Sequence, residues 1–264
     1  MHKDKIVVIY GGAGALGSTA ARVFAREGAQ VFLADHSQEK LDKVAGEITA
    51  AGGKVETAVV DVLDEKAVAV HAKSIAQKAG HIDIMFNAVG LMHDQGTQLA
   101  DLSWEEFIRP VDGFLKAQFN TSKAAAPHMG GERQGVIINM SEPGSKLALA
   151  GILGHAVASS GKEVFTRVLA AELGPKNIRV VCVRPHAMSD AIAAGSYTKE
   201  VFKGMADSAG MTPEAFANSM AQGTLVNHLP TLSEVAETVS FLASDNARAI
   251  TATTINMSGG FVTE

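Results

Sequence analysis

The 264-residue sequence predicts an α/β fold in one domain: a doubly wound, mostly parallel sheet of seven strands with helices on both faces. Three observations carry this expectation. Short Val- and Ile-rich runs alternate with helical patterns almost to the end of the chain. These runs are continuous rather than alternating, as in strands covered on both faces. Hydrophobic residues make up 47% of the chain and charged residues 19%, which is ample for a large core and too apolar for disorder.

The expected strands are Lys5–Tyr10, Gln30–Ala34, Lys54–Val60, Ile82–Asn87, Gly135–Met140, Ile178–Arg184 and Thr253–Met257. Between the first four lie Leu16–Glu27, closed by Gly28, then Gln38–Ala51, closed by Gly52-Gly53, and Asp64–Ala79. The last opens on an Asp suited to capping and stops at Gly80. His155–Leu173 carries Val157, Gly161, Val164, Phe165, Val168 and Leu169 as a stripe at helical spacing. Strand–helix–strand repetition implies right-handed crossovers. The rhythm breaks at residues 186–230, rich in Ala, Ser, Met and Gly, which read as one or two loosely packed helices. Placed beyond the carboxyl end of a strand, this insertion is expected to be a lid over a ligand. Its Met188, Met205, Met211, Met220, Leu225 and Val226 suggest an apolar pocket.

Composition narrows the function classes. Lys plus Arg number 23 against 28 Asp plus Glu, a net charge of −5, so the basic face of a nucleic-acid binder is not expected. No apolar run approaches the roughly 18–20 residues of a membrane span. The run Ile6–Ile9 is too short for a signal-peptide core, and none is expected. A single cysteine, Cys182, forms neither an internal disulfide nor a Cys-rich metal site, which fits the reducing cytoplasm. His93, His155 and His186 lack close ligand spacing, so no metal is expected either.

The first chemical signal follows the first strand. Gly11-Gly12-Ala13-Gly14-Ala15-Leu16-Gly17 runs directly into a helix. Glycines permit the tight turn and the close approach of a pyrophosphate, and the helix N-terminus offers free N–H groups and partial positive charge. An acidic residue, Asp35, ends the next strand, where its carboxylate would hydrogen-bond ribose hydroxyls and repel a 2′-phosphate. This is a Rossmann-type dinucleotide arrangement, and without Arg or Lys in the loop or directly after Asp35 it favours NAD(H) over NADP(H).

At this point the sequence resembles the short-chain dehydrogenase/reductase family along nearly its whole length. The glycine loop is similar to the family's Thr-Gly-x3-Gly-x-Gly, with Tyr10 for Thr and Ala15 for the middle Gly. Asp61-Val62 resembles the pair that contacts adenine, and Asn87-Ala88-Val89-Gly90 the Asn-Asn-Ala-Gly motif. Leu173–Val180, Phe241–Asp245 and Ser258-Gly259-Gly260 are similar to further family segments. The resemblance implies that Gly11, Gly14, Leu16, Gly17, Asp35, Asp61, Val62, Asn87, Ala88, Gly90, Pro185 and Met188 contact the cofactor. It also implies a homo-oligomer, dimer or tetramer, through the segment Phe107–Met129 and the helix His155–Leu173.

The family's chemistry uses a Tyr as general acid/base, a Lys four residues later, a Ser after the fifth strand and a helical Asn. Spacing puts His155 at the Tyr position, Ser159 at the Lys position, Glu142 at the Ser position with Ser141 beside it, and Phe114 at the Asn position. All four differ. Pro-Gly after the sixth strand is altered to Pro185-His186. Imidazole titrates near 6.5 without help, and a Lys beside it would disfavour the imidazolium, so losing Lys together with Tyr is self-consistent. Glu142 and His155 are therefore read either as an acid pair over the nicotinamide, with either Ser141 or Glu142 facing it, or as a site without catalytic demand in which His155 is a neutral helix residue hydrogen-bonded to backbone. Lys162 reads as a solvated or interface lysine, or as a partial stand-in for the absent Lys. The expected function is an NAD(H)-dependent oxidoreductase with a non-standard site, acting on a small apolar carbonyl, alcohol or imine. Two alternatives are an NAD-binding sensor or scaffold without turnover, and a non-redox lyase, isomerase or cyclase using the same cleft.

Overall fold

The computed structural model of the chain describes residues 1–263. Seven strands form one sheet: β1 Ile6–Tyr10, β2 Gln30–Asp35, β3 Lys54–Val59, β4 Ile84–Asn87, β5 Gly135–Met140, β6 Ile178–Pro185 and β7 Thr253–Met257. Their order is β3-β2-β1-β4-β5-β6-β7. Every described pairing is parallel, so the sheet has no antiparallel member where a mostly parallel one was expected. The strand order reverses between β1 and β4, and ligand crevices open at such a switch point beyond the carboxyl ends of the strands.

The helices are α1 Ala15–Arg26, α2 Gln38–Ala50, α3 Glu65–Ala79, α4 Trp104–Ala125, α5 Leu153–Leu173, α6 Thr198–Ser208, α7 Pro213–Ser219 and α8 Leu232–Ala243. Leu41 and Val44 of α2, Phe24 of α1 and Val235 and Val239 of α8 pack against Val7, Ile9 and Leu33 on one sheet face. Val68 and Ile75 of α3, Ala117 of α4 and Ala170 of α5 pack against Val8, Tyr10 and Ile137 on the other. Successive strand residues point to opposite faces, so continuous apolar runs serve both cores at once. The two sheet edges, β3 and β7, are only partly covered.

Local chemistry sets the helix ends. Asp64 caps α3 by accepting from the Lys66 and Ala67 amides, and Gly80 closes it at φ +85. Ser103 and Glu106 form a reciprocal capping box, which starts α4 before the expected Phe107. Thr231 and Glu234 form another, which fixes the start of α8. Helix α5 turns a different face inward from its apolar stripe. His155, Ala158, Ser159, Lys162, Thr166 and Ala170 are buried, while Val157, Val164 and Val168 are exposed. Small and polar residues let α5 lie close to α4 and the site.

Candidate active site

The loop after β1 builds one end of a cleft. Gly11 turns at φ +77, and a Cβ there would lie 2.6 Å from the Ala88 carbonyl oxygen. A Cβ on Gly17 would lie 2.1 Å from the Gly11 oxygen. Gly17 thus lets α1 close onto the loop and does not itself line the cleft. Gly14 caps α1 without a side chain, no acidic residue occupies the first turn, and Gly14 and Leu16 face the cleft. Such a helix end holds an anion with its amides and its dipole. Asp35 lies beside it, accepting from the Ala13 amide at 3.1 Å and the His36 amide at 2.8 Å. Asp61, Val62, Ala88, Gly90, Pro185 and Met188 also line the wall. Asn87 does not: its amide donates to Asn139 at 2.9 Å and its oxygen accepts from Thr121 at 2.8 Å inside the protein.

The other end is built by β5 and α5. Ser141 and Glu142 follow β5 and line the cleft, as does His155 in the first turn of α5. Their alternation separates their roles. The Ser141 hydroxyl points inward, 3.1 Å from the Ser159 carbonyl oxygen and 3.0 Å from Glu163 Oε1. Glu163 also accepts from Ser145 at 2.6 Å and forms an ion pair with buried Arg184 at 3.1 Å. This polar hub clamps the turn Pro143–Ser145 against α5 and so fixes where Glu142 emerges.

Glu142 does not form the expected acid pair with His155. Its Oε2 accepts from Ser159 Oγ at 2.9 Å and from Lys162 Nζ in a shorter contact. Ser159 is fully buried behind the wall and acts on the cleft only through Glu142. Lys162 is no solvated lysine: its side chain is 2% exposed, and its ammonium lies 4.3 Å from the centre of the Phe114 ring. A cation placed over an aromatic face and against a carboxylate is stable in a buried setting that would otherwise neutralise it. Burial opposes ionisation of Glu142, but the Lys162 ammonium outweighs it, with help from His155 and Ser159, and the carboxyl is held down to about 2.

His155 is the opposite case. Burial is the main cause of its fall to about 4; Glu142 opposes it, and His93 and Lys162 reinforce it. The ring is therefore neutral at pH 7, and neither nitrogen has a hydrogen-bond partner among the described residues. Its buried Nδ1 is left without one. His93 stacks on it, ring centroids 5.0 Å apart and planes 4° from parallel. His93 Nδ1 donates to the Leu91 carbonyl at 2.8 Å, and its Nε2 accepts from Gln95 at 3.0 Å. Burial also lowers His186, to about 4, against the Phe261 ring at 4.3 Å.

Residues from the 186–230 insertion cover the cleft, whose volume is about 710 Å³. Tyr197, Phe202 and Phe216 supply rings that sequence reasoning did not single out. The Tyr197 ring lies directly on Gly90, where a Cβ would come 2.1 Å from a ring carbon. Met188, Met205 and Met220 line the cleft as expected, but Met211, Leu225 and Val226 are exposed outside it.

The sheet order, the uncapped glycine-loop helix and the carboxylate at the end of β2 together define a class, and comparison with known proteins agrees. Residues 11–262 match the enoyl-(acyl carrier protein) reductase family, and the chain belongs to the short-chain dehydrogenases/reductases, whose members bind NAD(P). By family it is an oxidoreductase of the short-chain type. Among individual proteins it is similar to the oxidoreductase UcpA of Escherichia coli, 31% identical, over 97% of this chain and 94% of that one. The 3-oxoacyl-[acyl-carrier-protein] reductase FabG of Thermotoga maritima is 28% identical, over 98% of each chain. The structure of levodione reductase superposes with a TM-score of 0.87 at 28% identity, also over 98% of each. No helix of the described residues is long and apolar enough to cross a membrane.

Proposed function

We propose that this chain is an NAD(H)-dependent oxidoreductase acting on a small, mostly apolar alcohol, carbonyl or imine through a rewritten proton-handling site. One observation carries this reading: a single cleft runs from Gly14 and Asp35, past Ala88 and Gly90, to Glu142 and His155. The residues present fit a dinucleotide. The α1 amides would hold the diphosphate, Asp35 the adenosine ribose, and Ala88–Gly90 with Pro185 the nicotinamide half. When bound, the nicotinamide supplies or takes up a hydride. The chain contributes a chamber lined in part by aromatic rings, a fixed carboxylate at Glu142 and a neutral imidazole at His155.

Purified protein titrated with NADH, NAD and NADP(H), then followed at the reduced-nicotinamide band with ketones, alcohols and imines, tests the reading. Lys40 lines the same end of the cleft as Asp35, so the nucleotide preference is assigned to the Asp35 carboxylate itself. Asp35→Ser is expected to weaken NAD(H) binding about 10–100-fold, the worth of charged hydrogen bonds, and to narrow the preference over NADP(H). Unchanged calorimetric affinities for both would remove Asp35 from recognition. Binding without turnover is the second reading, a sensor or scaffold. It is favoured by the lack, at the Glu142–His155 end, of a group poised to titrate near neutrality.

The exposed Val157, Val164 and Val168 of α5, with Phe119 of α4, form the surface assigned to self-association. Val164→Glu is expected to shift the protein to monomers in sedimentation velocity without changing its circular dichroism spectrum. An unaltered oligomer would place the interface elsewhere.

A further inference from the structure

We propose that the site selects a substrate whose reacting nitrogen already carries a positive charge, an iminium ion, and that Glu142 is the residue that grips it. This rests on the NAD(H) reading and narrows its substrate class. The first support is the split use of the Glu142 carboxylate. Both of its protein contacts, to Ser159 and Lys162, are made through Oε2. Oε1 has no hydrogen-bond partner among the described residues, and the side chain is 30% exposed on the cleft wall. Lys162 lies behind it, buried and off that wall. The ion pair is thus a dipole with its negative end toward the chamber.

The second support is what surrounds that negative end. Asp35, Lys40 and Asp61 line the dinucleotide end, whereas Glu142 is the full charge at the other. His155, His93 and Tyr197 line the cleft with it, neutral rings of which the Tyr197 face favours a cation. His93 stacks on His155 at 5.0 Å and meets Tyr197 edge-on at 6.4 Å, so these rings form one group on the cleft wall.

The third support is the proton inventory. Reducing a carbonyl creates an alkoxide that must take a proton from a donor, and an ionised carboxylate both lacks one and repels the growing negative charge. Ser141 is turned to the Ser159 carbonyl and Glu163, and Ser159 donates to Glu142, so neither serves the chamber; the Tyr197 phenol is the hydroxyl left on this wall. An iminium ion needs no donor. Hydride adds to the iminium carbon, the C=N π pair becomes the nitrogen lone pair, and the positive charge is discharged without a proton changing place. The hydride comes from a reduced nicotinamide dinucleotide, which is oxidised. In reverse, a neutral amine gives up hydride to the oxidised dinucleotide and leaves as the iminium.

The test uses the full chain with saturating NADH and three probes. These are N-methyl-3,4-dihydroisoquinolinium, the non-reducible N,N-dimethyl-tetrahydroisoquinolinium, and the neutral ketone 2-tetralone. Calorimetry is expected to show the non-reducible cation binding at least about tenfold tighter than the ketone, as one charge-assisted contact allows. The iminium is expected to be reduced at least about 100-fold faster than the ketone. Glu142→Gln strands the Lys162 ammonium, so Glu142→Gln/Lys162→Met, which removes both charges, is measured beside it. Both variants are expected to keep NADH binding and lose the cation preference. With NADH binding intact, equal binding and reduction of the ketone, or an undiminished cation preference in the double variant, overturns the inference and leaves the NAD(H) reading standing. Failure to bind NADH removes both.

Discussion

Lowering the pH from 7 to 4.5 is expected to remove much of the folding stability of this protein, on the order of 5 kcal/mol or more. Burial pushes His71, His155 and His186 each down to about 4 from an ordinary 6.5, so all three fold as neutral rings. The unfolded chain binds their protons first as pH falls. Their contribution is complete above pH 6.5 and is lost as pH drops through 6.5 toward 4. Each proton adds a slope of about 1.4 kcal/mol per pH unit, and total stabilities of such domains are about 5–15 kcal/mol. Glu142 titrates lower, its contribution lost between 4.5 and about 2, so it falls mainly below this window. Urea unfolding at pH 7.5, 6.0 and 4.5 measures the effect. A midpoint unchanged down to pH 4.5 would mean that these rings are hydrated in the folded state. His186→Phe, which keeps the ring contact with Phe261, is expected to flatten the slope by about one proton.

The second large effect is expected from Lys162→Met, a loss of about 3–5 kcal/mol. A methionine fills the space over Phe114, so the cost is not a cavity. It comes from leaving the Glu142 carboxylate beside buried Ser159 without its counter-charge. The Glu142 carboxyl pKa then rises, and the stability lost by the variant shrinks as the pH is lowered and the carboxyl takes a proton. Adding Glu142→Gln to Lys162→Met is expected to restore most of the loss, a coupling that a double-mutant cycle reads directly. A cost below about 1 kcal/mol for Lys162→Met would mark the pair as a solvent-screened surface bridge. It would also remove the fixed negative end that the iminium proposal requires.

Much of this architecture is legible along the chain because it depends on near neighbours. The strand runs, the Gly11–Gly17 loop and the caps at Asp64 and Gly80 are decided within a few residues by backbone sterics and unpaired amides. Glu142 and His155 both line the cleft, since β5 and α5 lead to it directly. Asn87 and Gly17 sit in the expected segments, and their internal contacts, hydrogen bonds to Asn139 and Thr121 and close packing on Gly11, are what a motif alone does not show. The apolar pattern of α5 likewise shows a stripe without showing which neighbour it meets.

By itself, then, the chain order determined a parallel doubly wound sheet and the glycine turn that opens α1, because short-range periodicity and glycine placement suffice for each. Only the tertiary structure decided the partner of Glu142. Lys162 stands two helical turns beyond His155, and nothing local distinguishes a lysine that reaches water from one that turns inward. Its position depends on Phe114 from α4 and on the turn clamped by Glu163 and Arg184, groups brought together by packing across distant segments. That arrangement, rather than any motif, leaves one carboxylate oxygen open to the cleft, while burial keeps His155 neutral beside it.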